Sequence, residues 1–440
     1  MELTAKAASF PIGQARPKEI TVYRALRDTS AAGLVLVSIV PEASSRFIFV
    51  PVFVLWVLFA FISRPRAFKD TFISPDIKSY SVYFWLILYA TFYFMGYMHG
   101  AEVERLFNHA RIGFSLLFFN YYLETDDMKS VKLLTLFALA CIVFTSIATL
   151  RGLALNPMAA RLLATGREEL IYAVTGMGIG SFGFAYGLTF VVVAIFGLFR
   201  TRLPVKHRII FTALVALFTY TIFSAAFMMS LLLLFVSVAL TLLNIKSNTH
   251  LVATFLVMLM LLFALSPVVS SVLNFLGDTV EHPALSMRFH ELAIMSRDFS
   301  VDGTLNAEGR WGFVTLSIRT FFSNPILGVG GFYGFATSQH GIGGHSAFLD
   351  ELAKYGIIGA GFLFVALYSN ARFVYRRLKN SKQKIAYYCS MTAFFILGFI
   401  NTLLFVPVVF MAYFVVPGII CSFSNNMHVR SVLNEDTLVR

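Results

Sequence analysis

Apolar residues in this chain come in long unbroken runs, not in the short stripes of an amphipathic fold. The runs are about 17–25 residues long, the length of helix that crosses ~30 Å of hydrocarbon. Inside a bilayer the backbone has no water to bond, so each run must be a helix. Read in order, the pattern predicts twelve spans: 30–44, 46–62, 80–98, 106–123, 131–150, 173–199, 208–222, 225–243, 251–274, 347–371, 385–403 and 406–424. Pro41 and Glu42 divide the first pair, and 208–243 is long enough for two short spans. The expected fold class is all-α, a polytopic membrane helical bundle with one large loop. Its parts are a cytoplasmic segment 1–29, nine spans over 30–274, a loop over 275–346, three spans over 347–424 and a tail over 425–440. The polar residues 1–29 read as a lead-in rather than a cleaved signal.

Composition agrees with that pattern. Hydrophobic residues make up 58% of the chain and charged ones 13%, with mean hydropathy +0.76, where soluble domains are nearer a quarter charged. Cys141, Cys389 and Cys421 sit inside apolar runs with no metal-ligand spacing, and read as small hydrophobes. The net charge of +12 raises the question of nucleic acid. The positive-inside rule answers it. With both termini inside, 24 of the 35 lysines and arginines fall on cytoplasmic segments, with clusters at 200–208 and 372–384. The basic excess is an orientation signal, and no nucleic-acid partner is expected.

The remaining 11 basic residues fall outside, and all but Lys354 are arginine: Arg46, Arg105, Arg111, Arg151, Arg161, Arg167, Arg288, Arg297, Arg310 and Arg319. Inside, lysine and arginine are nearly balanced. Topology needs only positive charge, so the bias calls for another cause. Guanidinium is a planar fork that grips phosphate oxygens in pairs, and a diphosphate at the outer surface is the anion it fits. The alternative is interfacial snorkelling against nearby acids such as Glu168, Glu291 and Glu308. Arg111 lies more than a turn inside an apolar run, where a charge needs a wet cavity or a partner.

Within the large loop, 283–299 carries Leu285, Phe289, Leu292, Met295 and Phe299 as one stripe, predicting an amphipathic helix on the membrane or on the bundle. A second helix is predicted over 309–323, stopped by Asn324 and Pro325. A glycine-rich stretch follows, with glycine at 328, 330, 331, 334, 341, 343 and 344, and His345 closes it where the next span begins. Histidine there can take a proton at neutral pH or stand as a cation beside phosphate. It can equally be an interfacial histidine bonded to a carbonyl. The GIGSFG run at 178–183 fits a dinucleotide fingerprint in letters only, since no strand precedes it. Gly176, Gly180, Gly183 and Gly187 are expected on one face of a helix, for close helix packing. No phosphate loop of Walker type, HExxH or CxxC is present, so no cofactor or metal is expected.

Four features then combine: Arg310 with Trp311, NPILGVG at 324–330, Gly344-His345-Ser346, and LDELAKYGIIG at 349–359. Together they resemble the O-antigen polymerase and ligase superfamily. The likeness covers about 50 residues in letters, and most of the chain only in architecture. It implies a bundle of the GT-C glycosyltransferase type, an undecaprenyl-diphosphate-linked donor, metal-independent transfer with inversion, and a catalytic role for His345. Ligases of this family usually carry His-Asn where this chain has His345-Ser346. The nearest equivalent of the family's Ser-Arg-Gly step is FSAAF at 223–227, without arginine.

The resulting expectation is a bacterial inner-membrane enzyme with its site on the periplasmic side. It would join undecaprenyl-diphosphate-linked oligosaccharide repeats, with His345 taking the acceptor proton or orienting the acceptor. Arg288, Arg310, Arg161, Arg167 and Arg111 are the candidate ligands of the diphosphate. Asp350 or Glu351 could orient His345 or act as base. Membrane lipid, a chain-length regulator and a flippase are the other expected partners. Alternatives are a ligase that uses lipid A–core as acceptor, and a transporter or flippase of lipid-linked oligosaccharide.

Overall fold

A computed structural model describes residues 17–95, 103–156, 159–164, 178–201, 203–225, 227–242, 254, 266–297, 305–330, 341–378 and 380–423. Every regular element among them is helical. In chain order these are α1 (Pro17–Ile39), α2 (Arg46–Ser63), α3 (Pro65–Phe68), α4 (Ile77–Phe94), α5 (Val103–Glu124), α6 (Met128–Leu155) and α7 (Ala159–Ala164). Then come α8 (Phe182–Leu198), α9 (Val205–Ser224), α10 (Met228–Leu242), α11 (Ser266–Thr279), α12 (Pro283–Arg297) and α13 (Leu305–Ser323). The last are α14 (Ala347–Arg377), α15 (Ser381–Ile400) and α16 (Val406–Phe423), the last with a π turn over Met411–Val415.

Polar residues at the ends of the apolar runs explain where helices start. Ser45, Asp76, Asp127 and Ser346 each accept a backbone N–H in the first turn of α2, α4, α6 and α14. Asn380 and Gln383 form a reciprocal capping box on α15.

Six of the described helices are long and apolar enough to cross a membrane: α2, α6, α9, α14, α15 and α16. They correspond to six of the twelve expected spans. The others differ in particular ways. α1 begins at Pro17, well before the expected residue 30, and ends ahead of Pro41. α8 begins at Phe182 rather than 173, because Gly178 takes φ +98° and residues 178–181 are not helical. Gly180 is therefore off the expected glycine face, and Gly176 lies outside the described residues. Gly183 and Gly187 do form a packing face. A Cβ on Gly187 would stand 2.4 Å from the Met411 sulfur of α16. Most of the expected span 251–274 also lies outside the described residues.

α16 and α8 form the centre. All of α8 except Phe182 and Phe196 is buried, and α16 carries Phe410 and Phe414 against Phe118 of α5. Basic residues gather at one end of the bundle. There Lys78 of α4 pairs with Glu124 of α5 at 3.8 Å, and Glu124 with Arg377 of α14 at 3.2 Å. Lys382 of α15 reaches the Arg200 carbonyl after α8, and Arg200 reaches the Thr241 carbonyl of α10. Fully buried Arg27 of α1 donates to Asp127 at 2.7 Å and to Ser130 at 3.1 Å. Burial pushes the Asp127 carboxyl up, but hydrogen bonds from Arg27 and Ser130 outweigh it and leave the group below its ordinary range. These residues come from several of the segments expected on the cytoplasmic side, and here they meet in space.

Two helices were expected in the 275–346 segment, and both form, as α12 and α13. On α12, the stripe residues Leu285 and Phe289 are buried against Leu273 of the preceding α11 and Val280 just after it.

Candidate functional site

At the end opposite the basic cluster, residues 341–346 lead into α14. Ser346 is its N-cap, accepting from the Leu349 N–H at 3.2 Å. The next residue, Ala347, donates its N–H to the Asn401 carbonyl at 3.0 Å, and Asn401 bonds the Tyr186 hydroxyl of α8. The start of α14, the end of α15 and the start of α8 thus meet.

Asp350 organises the segment before the helix. One carboxyl oxygen accepts from the Ser346 N–H at 3.2 Å, and the other from the Ser317 hydroxyl of α13 at 2.6 Å. The Ser317 oxygen accepts in turn from the Gly343 N–H at 2.9 Å. The Thr320 hydroxyl donates to the Gly341 carbonyl at 2.7 Å. Gly343 runs so close to α13 that a Cβ on it would stand 2.1 Å from the Phe313 carbonyl oxygen. His345 therefore sits on backbone fixed two residues before it and one residue after. Its half-buried ring packs on Phe313, centroids 4.7 Å apart and planes tilted by 38°.

The NPILGVG segment has a distinct role. α14 is broken at Gly356, where φ is +60° and ψ −168°. The segment 324–330 docks in the break. Val329 and Gly330 donate to the carbonyls of Ala353 and Lys354 at 3.0 and 2.7 Å, and Ile357 donates to the Pro325 carbonyl at 2.8 Å. These bonds replace the helical bonds lost at the break. The approach requires glycine on both sides. A Cβ would stand 2.2 Å from the Ile326 oxygen at Gly356, and 2.4 Å from the Lys354 carbonyl at Gly328, where φ is +68°.

The expected site residues divide. His345 is in this assembly. Arg310 lies on α13 three residues before Phe313, in the helical register that continues to Ser317 and Thr320. Arg161 lies on α7, which packs on α8 and α6. Arg288 lies on α12, and Arg167 falls outside the described residues. Arg111 stands apart. It is buried to 2% exposure, donates to the Val37 carbonyl of α1 at 2.6 Å, and its guanidinium covers the Phe49 ring of α2 at 5.1 Å. Its position deep in an apolar helix is thus met by protein partners: it ties α5 to α1 and α2.

Asp350 and Glu351 play different parts. Both Asp350 oxygens hold backbone and serine partners, so it braces the segment beside His345. Glu351 points toward Trp85 of α4. Sequence reasoning missed Ser317, Thr320, Asn401 and Tyr186, which are unremarkable polar residues until the fold brings them together. The break at Gly356, inside a predicted span, was missed as well.

No family model matches this chain, and no curated protein matches it either.

Proposed function

We propose that this protein is a polysaccharide polymerase. It joins undecaprenyl-diphosphate-linked oligosaccharide units to one another at the outer face of a bacterial inner membrane, within a GT-C-like bundle of twelve spans. The observation that carries the reading is His345, half-buried on Phe313 and braced through Gly343 and Ser346 at the head of α14. It lies within the four features that resemble the O-antigen polymerase and ligase superfamily.

In the reaction, an acceptor sugar hydroxyl attacks the anomeric carbon of the donor. The bond from that carbon to the diphosphate oxygen breaks, the lipid diphosphate leaves with the electron pair, and the hydroxyl proton passes to His345. Arg310, Arg288, Arg161 and Arg167 take the charge of the leaving diphosphate. Arg111 contributes indirectly, by holding α1, α2 and α5 together.

Ser346 bears on the choice of acceptor. Its side chain caps the helix, and asparagine caps as well as serine does. The exchange of Asn for Ser after the histidine therefore leaves the polymerase and ligase readings equally open on that residue. The remaining wording of 348–359 inclines to polymerase. A transporter would find a use for the broken α14. Against that reading, the freed carbonyls of Ala353 and Lys354 are taken by Val329 and Gly330.

The test uses purified protein in lipid nanodiscs with a polyprenyl-diphosphate oligosaccharide as both donor and acceptor, and products resolved by mass. Lipid-linked oligomers of two or more repeats are expected. His345→Ala should slow transfer by about 10²–10⁴-fold, the usual worth of a positioned acid or base. Arg310→Ala should slow it comparably. Full activity in both variants would remove this reading, and transfer only to lipid A–core would make the protein a ligase.

A further inference from the structure

Lys354 and Arg372 bound a stretch of α14, 355–371, that carries no charged residue. About 17 residues is the least that crosses the hydrocarbon core, so the two charges mark its edges. The break at Gly356 then lies just inside the edge on the His345 side. The segment docked in that break comes from the loop expected outside the membrane, and it docks at the same depth. The Pro325 carbonyl accepts from the Ile357 N–H at 2.8 Å, and the Ile326 carbonyl from the Ile358 N–H at 3.3 Å. Residues 325 and 326 are thereby held just over one helical turn past Lys354, ~6 Å at 1.5 Å per residue.

The chemistry of the segment suits that depth. Phe322, Ile326 and Leu327 on one side, and Ile357 and Ile358 on the other, are between 41% and 73% exposed. The two backbone bonds lay 325–326 alongside 357–358, so the exposed side chains fall into one patch. The patch continues along α14 through Val365 and Tyr368, also exposed and at helical spacing from Ile358 and Ile357. It is therefore continuous with the lipid-facing surface of a helix long and apolar enough to cross a membrane. No charged residue falls within 320–330, and Arg319, the last before it, is exposed.

Backbone bonding removes the usual objection to an irregular segment at this depth. Non-helical chain enters hydrocarbon only where protein holds its polar groups. Here the N–H groups of Asn324, Gly328, Val329 and Gly330 are all bonded, and Pro325 has none. In water, the same patch would be a contiguous apolar surface of the kind that marks a contact with a membrane or a protein.

We propose that residues 322–327 re-enter the membrane. With Ile357 and Ile358 they form a surface seated among the acyl chains of the leaflet on the His345 side, and Lys354 and Arg319 meet the lipid phosphates above it. α13 then ties residues 341–343 to that leaflet, because Ser317 and Thr320 hold Gly343 and Gly341. This surface does not depend on the proposed transfer reaction.

Spin labels on the full chain in lipid nanodiscs test it. Cys141, Cys389 and Cys421 are buried, so the label goes to one introduced cysteine at a time: Ile326→Cys, Leu327→Cys or Phe322→Cys. Collisions with oxygen, which dissolves in lipid, are compared with those of a water-soluble nickel chelate. Val365→Cys serves as the lipid reference and Thr315→Cys of α13 as the water reference. The labels at 322, 326 and 327 should favour oxygen over nickel as Val365→Cys does, and Thr315→Cys should do the reverse. Should a label at 326 or 327 disturb the docked loop, Ile357→Cys reads the same depth from α14. Labels that favour nickel would put the segment in water, and labels shielded from both reagents would put it under protein, such as a second copy of the chain. Either result overturns the proposal.

Discussion

Single residues in this chain mean different things once their partners are known. Arg111 reads in sequence as a charge seeking a phosphate, and in the fold it spans three helices through Val37 and Phe49. Asp350 reads as a spare base, and it proves to be the brace between α13 and the head of α14. Ser317 has no signal in sequence at all, yet its hydroxyl stands between Asp350 and Gly343. Removing it leaves two buried polar groups without their partner, each costing about 1–3 kcal/mol. Ser317→Ala should therefore lower the melting temperature in detergent or nanodiscs and slow transfer together. An unchanged melting temperature would mean that the brace contributes nothing to stability.

At the scale of elements, the feature that matters is one helix mended by a loop. α14 is continuous in hydropathy and broken in backbone, and 324–330 fills the gap with its own N–H and carbonyl groups. Alanine at 356 would face both φ +60° and a backbone oxygen at 2.2 Å. The dihedral strain alone is on the order of 1–3 kcal/mol, and the clash adds to it by pushing 324–330 away. Gly356→Ala should thus expose 324–330 to proteolysis at temperatures where the wild type resists. By contrast Gly361→Ala, at a position where a Cβ meets nothing within 4 Å, should not. Equal cleavage of the two variants would contradict the docking. This is also where sequence reading works least evenly. Helix existence was legible, because apolar runs and capping residues such as Ser45, Asp76 and Asn380 are local signals. α12 and α13 were legible from their stripe and stop. The breaks at Gly178 and Gly356 were not, because they depend on what packs against the glycine. For α12, periodicity tells that Leu285 and Phe289 face inward, and only the fold tells that Leu273 and Val280 cover them.

For the whole molecule, hydropathy and charge were the best guides. Six of the described helices are long and apolar enough to cross a membrane, and basic residues from distant segments converge at one end. Arg27, Asp127, Lys78, Glu124 and Arg377 show that part of this charge is also used to lock helices together. Residues 341–346, with His345, lie at the other end, which suits a substrate delivered on a lipid carrier across the membrane. The central claim, that the protein joins lipid-linked saccharide units, is tested most directly in the source cell. The gene is deleted, and surface polysaccharide and extracted lipid-linked material are run on gels side by side. The account predicts collapse of the polysaccharide ladder to a single repeat, restored by the wild-type gene and not by one encoding His345→Ala. A ladder and lipid-linked pool unchanged by the deletion would contradict it.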